Sequence, residues 1–203
     1  MRQSPHPRLL SSQRERGESW GTRLSSKPAL PSALGERVVS IRGGFGNDVH
    51  RLVTGRKLIL GGVRIPFEKG PLGHSDGDAL AHAICDALLG ATALGDIGRH
   101  FPNTSSQWRG VSSLVFLRRI SKALRDAGYT IVNVDATVSL ERPKLVPHIP
   151  RMQKKLAQAL SLDAGQVSVK AKTGEGLDAV GRGEAVRADA IALVYTTQSR
   201  VES

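Results

Sequence analysis

Asp48-Val49-His50 sets a carboxylate and an imidazole two residues apart, and on an extended segment that spacing turns both side chains to one face. Further along, Asp78, His82 and Asp86 fall at i, i+4 and i+8, one stripe of a helix opposite Leu80, Ile84 and Leu88, able to meet a partner surface together. If His82 faces Asp48 and His50, one carboxylate and two imidazoles converge, a donor set suited to Zn2+ or a similar ion. Three protein ligands leave a fourth position open, as in catalytic rather than structural zinc sites. On spacing alone a plainer account stands beside this one, because D-x-H pairs are common without any metal.

Other groups carry weaker signals. Thr173-Gly174-Glu175-Gly176 and Gly181-Arg182-Gly183-Glu184 either cradle a phosphate on backbone N–H groups, with Arg182 as clamp and Glu175 offered to a hard cation, or form a mobile hairpin loop. Pro143-Lys144-Leu145-Val146-Pro147-His148 is either a binding loop or a stiff linker. His100 and His148 lack a ligand-spaced neighbour and read as structural, and Arg118, Arg119, Lys122 and Arg125 read as a solvated helix face. Two Trp, two Tyr and four Phe are too few for a base-stacking platform, so nucleic acid is not the expected partner.

The elements that must position these groups are visible in the apolar pattern. Val38 to Arg42 reads as a strand, interrupted by Gly43, Gly44 and Gly46 before Asp48. Lys57–Leu60 and Val63–Pro66 around Gly61-Gly62 predict a hairpin. Ser75-x-x-Asp78 has capping-box form and predicts a helix from there up to Gly95. A second helix is expected from about Ser112 to Ala127, stopped by Gly128, and a third from about Pro150 to Leu160. Val132, Val134, Ala136, Val138 and Leu140 alternate with polar residues as a strand does, and Gln166–Lys172 and Ala185–Tyr195 add two more. Interleaved strands and helices without an internal repeat give an α+β fold.

Composition bounds the rest. Lys and Arg number 29 against 18 Asp and Glu over 203 residues, a net +11 that favours anionic partners. Residues 1–36 hold seven Ser and four Pro with no apolar periodicity, which predicts a disordered extension. It is either a transit peptide, against which Glu15, Glu18 and Glu36 count, or a dispensable or misassigned start. Residues 37–203 form the expected domain and keep 23 basic and 15 acidic residues, so the basic character belongs to the folded part. Cys85 is the only cysteine, which excludes an internal disulfide or a multi-cysteine metal site. No run nears the roughly 18 apolar residues of a membrane-spanning helix.

Taken in order, R-G-G-F-G-N-D-V-H (42–50), I-L-G-G-V-R-I-P (59–66), H-S-D-G-D (74–78), D-A-L-L-G (86–90), G-D-I-G (95–98), P-K-L-V-P-H-I (143–149) and G-R-G-E (181–184) are too many long matches for chance. From Arg42 to about Tyr195 the chain resembles the 2-C-methyl-D-erythritol 2,4-cyclodiphosphate synthases of non-mevalonate isoprenoid biosynthesis. The first 36 residues have no counterpart there. The resemblance implies a mixed β-sheet with helices packed on one face, in a homotrimer whose sheets face the three-fold axis and whose active sites lie between subunits. It implies a lyase acting on 4-diphosphocytidyl-2-C-methyl-D-erythritol 2-phosphate, whose 2-phosphate attacks the β-phosphorus and releases CMP.

By the same resemblance Asp48, His50 and His82 are the Zn2+ ligands, and Glu175 holds Mg2+ or Mn2+ on the diphosphate. His74 and Ser75 lie near the phosphates, Asp96 and Gly98 hold the methylerythritol hydroxyls, Lys144, Leu145 and Val146 receive cytidine, and Thr173 touches the diphosphate. Glu175, Thr173 and His74 are the expected catalytic groups, with Arg182 among the binding ones. Asn103 stands where the family usually has Asp, Lys172 where some members have Thr, and Ala179 where many have an aromatic. The resemblance implies neither a nucleic-acid nor a membrane partner, and a cytoplasmic location in a bacterium or a plastid one if the extension is a transit peptide. A zinc phosphoesterase that uses water instead, and a basic nucleic-acid-binding module, are the rival functions.

Overall fold

The computed structural model describes residues 36–199. The expectation for the N-terminal extension lies outside the described residues, apart from Glu36, which opens the first strand, β1 (Glu36–Thr54). β1 does not break at Gly43, Gly44 and Gly46 as the sequence suggests; it runs through them. A β-carbon at Gly44 would stand 2.0 Å from the Ala87 carbonyl oxygen, and one at Gly46 would stand 2.2 Å from that of Ala83. Glycine here lets a helix lie directly on the strand.

The expected hairpin forms from β2 (Leu58–Leu60) and β3 (Val63–Ile65). Gly61 and Gly62 turn it at φ of +55° and +69°, conformations that a side chain would strain. β4 (Lys69–Pro71) then pairs with the end of β1. The first helix, α1 (Ala79–Ala91), is capped by Asp78 and not by Ser75, and it ends at Ala91, short of Gly95. The Asp78 carboxylate accepts from the N–H groups of Ala81 at 3.1 Å, Gly61 at 2.9 Å and Gly62 at 2.6 Å. One fully buried side chain therefore starts the helix and fastens the hairpin turn to it.

A single turn, α2 (Ile97–His100), precedes α3 (Ser113–Asp126), which stops before Gly128 at φ +80°. β5 (Tyr129–Ser139), α4 (Ile149–Leu160), β6 (Val167–Lys172) and β7 (Ala185–Ser199) follow near their expected positions. The main sheet has the order β4-β1-β7-β5-β6, antiparallel except for the β5–β6 pair, so it is mixed as expected. Val134, Ala136 and Val138 of β5 and Val186 through Val194 at every second position of β7 are buried. Leu80, Ile84, Leu88, Leu117, Leu124 and Leu156 of the helices complete the core, each contributing roughly 1.5–3 kcal/mol on burial. The opposite sheet face exposes Ile41, Phe45, Ile191 and Leu193. Among the described residues no helix is long and apolar enough to cross a membrane.

Candidate active site

Gly44, Gly46, Asp48 and His50 recur at every second position of β1 and so share the face on which α1 lies. Ala91, Ala87 and Ala83 of α1 rest against the two glycines, and the next step along the helix lowers His82 onto Asp48 and His50. Asp48 Oδ2 is 2.8 Å from His50 Nε2 and 2.8 Å from His82 Nδ1, and the two nitrogens are 3.2 Å apart. One ligand atom from each residue lies within 4.8 Å of the others, a group able to hold a metal ion. The donor set fits a borderline divalent ion, and its outward side opens to a cavity.

The rings are oriented from behind. His50 Nδ1 lies 3.0 Å from the Leu72 carbonyl, which can only accept, so Nδ1 carries the proton and the Nε2 lone pair faces Asp48. His82 Nε2 points to the hydroxyls of Ser113 at 2.8 Å and Ser75 at 3.1 Å. Burial alone would raise the Asp48 carboxyl, but His50 and His82, which in their protonated forms donate hydrogen bonds and bring positive charge to it, pull it well below the usual carboxylate range. Burial would likewise lower His50, and Asp48 overrides it to raise the imidazole above its ordinary value.

The helical stripe divides instead of acting together. His82 alone joins the metal group; Asp86 accepts from the Ile97 N–H at 2.7 Å and so anchors α2. Burial, with the neighbouring Asp76 charge, raises the Asp78 carboxyl to about 6 against its three backbone donors.

A cavity of about 460 Å3 opens over the two histidines, lined also by His74, Ser75, Gly98 and Asn103. His74 Nε2 donates to the Ser105 carbonyl at 3.0 Å. Asp96 caps α2 through the Arg99 N–H at 2.9 Å. Sequence reasoning missed the cavity's aromatic wall. Phe101 stacks on Phe116 with centroids 4.4 Å apart, Trp108 meets Phe116 edge-on at 5.6 Å, and Phe116 in turn stacks on His82 at 6.3 Å. Its signal was available, since three of only eight aromatic residues fall between positions 101 and 116. Asp76 and Ser113 were also passed over.

Lys144, Val146, Thr173, Glu175 and Arg182 do not line this cavity and are exposed elsewhere, while Leu145 turns its side chain into the core. Thr173 donates to the Glu175 carboxylate. Glu175 holds φ at +50°, a conformation unfavourable for a residue with a β-carbon and often kept at functional loops. The Arg182 guanidinium is taken by Glu184 at 3.1 Å beside a separate hollow of about 340 Å3 bordered by Lys69, Glu141 and Arg142. Among the residues read as structural, His100 donates to the Leu94 carbonyl at 2.9 Å. The basic face of α3 is exposed, with Arg119 over Trp108 and Lys122 paired to Asp126.

This chain is similar to known proteins over most of the described residues. The YgbB family matches residues 41–195. A 2-C-methyl-D-erythritol 2,4-cyclodiphosphate synthase of Nitrosomonas europaea is 54% identical over 154 residues, 76% of this chain and 94% of the relative. A solved synthase of that name in a CDP-bound form is 42% identical with a TM-score of 0.70, covering 75% of this chain and 99% of the other. The bifunctional IspDF of Campylobacter jejuni aligns at 37% identity and a TM-score of 0.75, over 77% of this chain and 42% of that one.

Proposed function

Because the chain belongs to the YgbB family, we propose that it is an enzyme performing the reaction for which these relatives are named, the closure of a cyclic diphosphate in isoprenoid biosynthesis. The substrate is 4-diphosphocytidyl-2-C-methyl-D-erythritol 2-phosphate. A 2-phosphate oxygen forms the new bond to the β-phosphorus, the bond from that phosphorus to the oxygen of the α-phosphate breaks, and CMP leaves with the bonding pair.

The observation that carries this reading is the Asp48, His50 and His82 group, whose two histidines line a mostly apolar cavity. These three residues would hold Zn2+, and Glu175 would hold Mg2+ or Mn2+. When bound, such ions neutralise phosphate oxygens and polarise the phosphorus. The chain's own part is to force two anionic groups together in line, which the +11 charge favours at long range and fixed side chains accomplish at short range. His74 and Ser75 receive phosphate oxygens, Asp96 and the backbone at Gly98 hold the sugar hydroxyls, and the aromatic wall excludes water that would otherwise compete with the 2-phosphate. Lys144, Leu145, Val146, Thr173, Glu175 and Arg182, which lie away from this cavity, serve the cavity of a neighbouring copy: the first three take cytidine, with Leu145 acting through its backbone, and Thr173 and Arg182 meet the diphosphate.

A homotrimer closed on the exposed Ile41, Phe45, Ile191 and Leu193 face is thus part of the reading. Incubating the protein with the nucleotide substrate and Mg2+ should yield the cyclic diphosphate and CMP by mass spectrometry. Linear hydrolysis products would instead favour a water-using phosphoesterase. Light scattering should report three copies per particle for the wild type and single copies, without turnover, for the Phe45→Asp/Ile191→Asp double variant; an active monomer would break the shared-site reading.

A further inference from the structure

Behind His82, on the side away from the metal position, the side chains form a directed chain of hydrogen bonds. Both carboxylate oxygens of Asp76 accept from backbone: Oδ2 from the Ser113 N–H at 3.1 Å and Oδ1 from the Asp78 N–H at 3.3 Å. Asp76 therefore has only acceptor capacity to offer the Ser113 hydroxyl, which lies 2.5 Å from Oδ1 and donates its hydrogen there. With that hydrogen committed, Ser113 Oγ can only accept from His82, whose Nε2 is 2.8 Å away. The Nε2 nitrogen must then carry the ring proton, and the Nδ1 lone pair is left facing Asp48 and His50. Ser75 offers a second acceptor at 3.1 Å, but its hydroxyl has no carboxylate to fix its direction. Ser113 is fully buried and opens α3, so the helix itself holds the hydroxyl in place.

We propose that Asp76 and Ser113 are positioning residues of the metal centre, an outer relay that locks His82 in the tautomer and ring orientation able to bind the ion. This inference rests on the reading of Asp48, His50 and His82 as metal ligands. It gives a function to two residues 37 positions apart that meet only in the folded chain. It also divides the labour within Ser75-Asp76-Gly77-Asp78: Ser75 serves the cavity, Asp76 the relay, and Asp78 the helix start.

The test is zinc affinity of the full chain, measured by competition with a chromophoric chelator, for wild type, Ser113→Ala, Asp76→Asn and the double variant. Loss of an outer partner of a metal-bound imidazole weakens binding about 10- to 100-fold. Ser113→Ala and Asp76→Asn should each do so, and the double variant should bind no more weakly than the worse single one, because both act through the same ring. In the zinc-loaded wild type, nitrogen-15 NMR of the imidazoles should show His82 protonated at Nε2. Single variants that bind zinc within twofold of wild type, effects that multiply in the double variant, or a His82 protonated at Nδ1 would each overturn the relay. If Ser113→Ala does not fold, Asp76→Asn and the NMR assignment decide alone. A wild type that binds no zinc would instead overturn the metal reading on which the relay stands.

Discussion

At Asp78 a carboxylate with no exposure satisfies three backbone donors, two from the β2–β3 turn and one from the first turn of α1. Removing it leaves all three without this acceptor, those of Gly61 and Ala81 in the interior. Asp78→Ala should therefore cost about 3–5 kcal/mol, well beyond an ordinary cap loss, and urea unfolding of the variant measures it. His50 supports a pH prediction for chelator-stripped protein. Its pKa in the fold lies above the ordinary 6.5, since the Asp48 hydrogen bond and charge outweigh burial, so the folded state binds this proton more tightly than the unfolded chain. That stabilisation is complete below pH 6.5 and is lost as pH rises through the raised value. The melting temperature should fall as pH rises from 6.5 through the raised value, and His50→Gln should flatten the slope; an equal slope in the variant would assign it to other groups. Asp48 and His50 were legible because a spacing of two on a strand needs no knowledge of the fold. His82 needed one guess about which helix faced them. Asp78 was read as part of a functional stripe because i, i+4 spacing cannot distinguish a buried cap from a surface ligand, and Asp76 with Ser113 left no local trace at all.

The fit of α1 on β1 is the element-scale feature that makes the centre possible. Gly44 and Gly46 read in the sequence as a break, since glycine usually weakens a strand, and only the helix laid across them reveals why the strand tolerates both. The hairpin and the three long helices were legible from turn residues and apolar periodicity, whereas α1's true ends depended on what its caps touch elsewhere. At Gly46 an added methyl would meet the backbone of α1, with Ala83 oxygen at 2.2 Å and Ala87 nitrogen at 2.5 Å, and neither can swing aside as a side chain can. Gly46→Ala must push the helix outward and carry His82 away from Asp48. It should destabilise the fold by about 1–3 kcal/mol or more and weaken zinc binding in the protein that still folds. Gly165→Ala, with open space around the position, should change neither. Calorimetry and zinc titration of both variants check the pair.

Across the whole molecule, β1 pairs with β7 from Glu36 opposite Ser199 to Arg51 opposite Ala185, so the first strand of the sheet is held by the last. β7 also holds β5, which places the final segment in the middle of the sheet and between strands made long before it. Such pairing closes a very long loop before any contact rewards it. During synthesis, Asp48, His50 and His82 all leave the ribosome while the strand that completes their platform is still untranslated. The nascent chain must wait with β1 and β5 each lacking a neighbour, exposed to chaperones and to mispairing. Ribosome-stalled chains should resist proteolysis only after residue 199 has emerged from the exit tunnel, and resistance in chains that end before Ala185 would show that the helices and β1 organise without it.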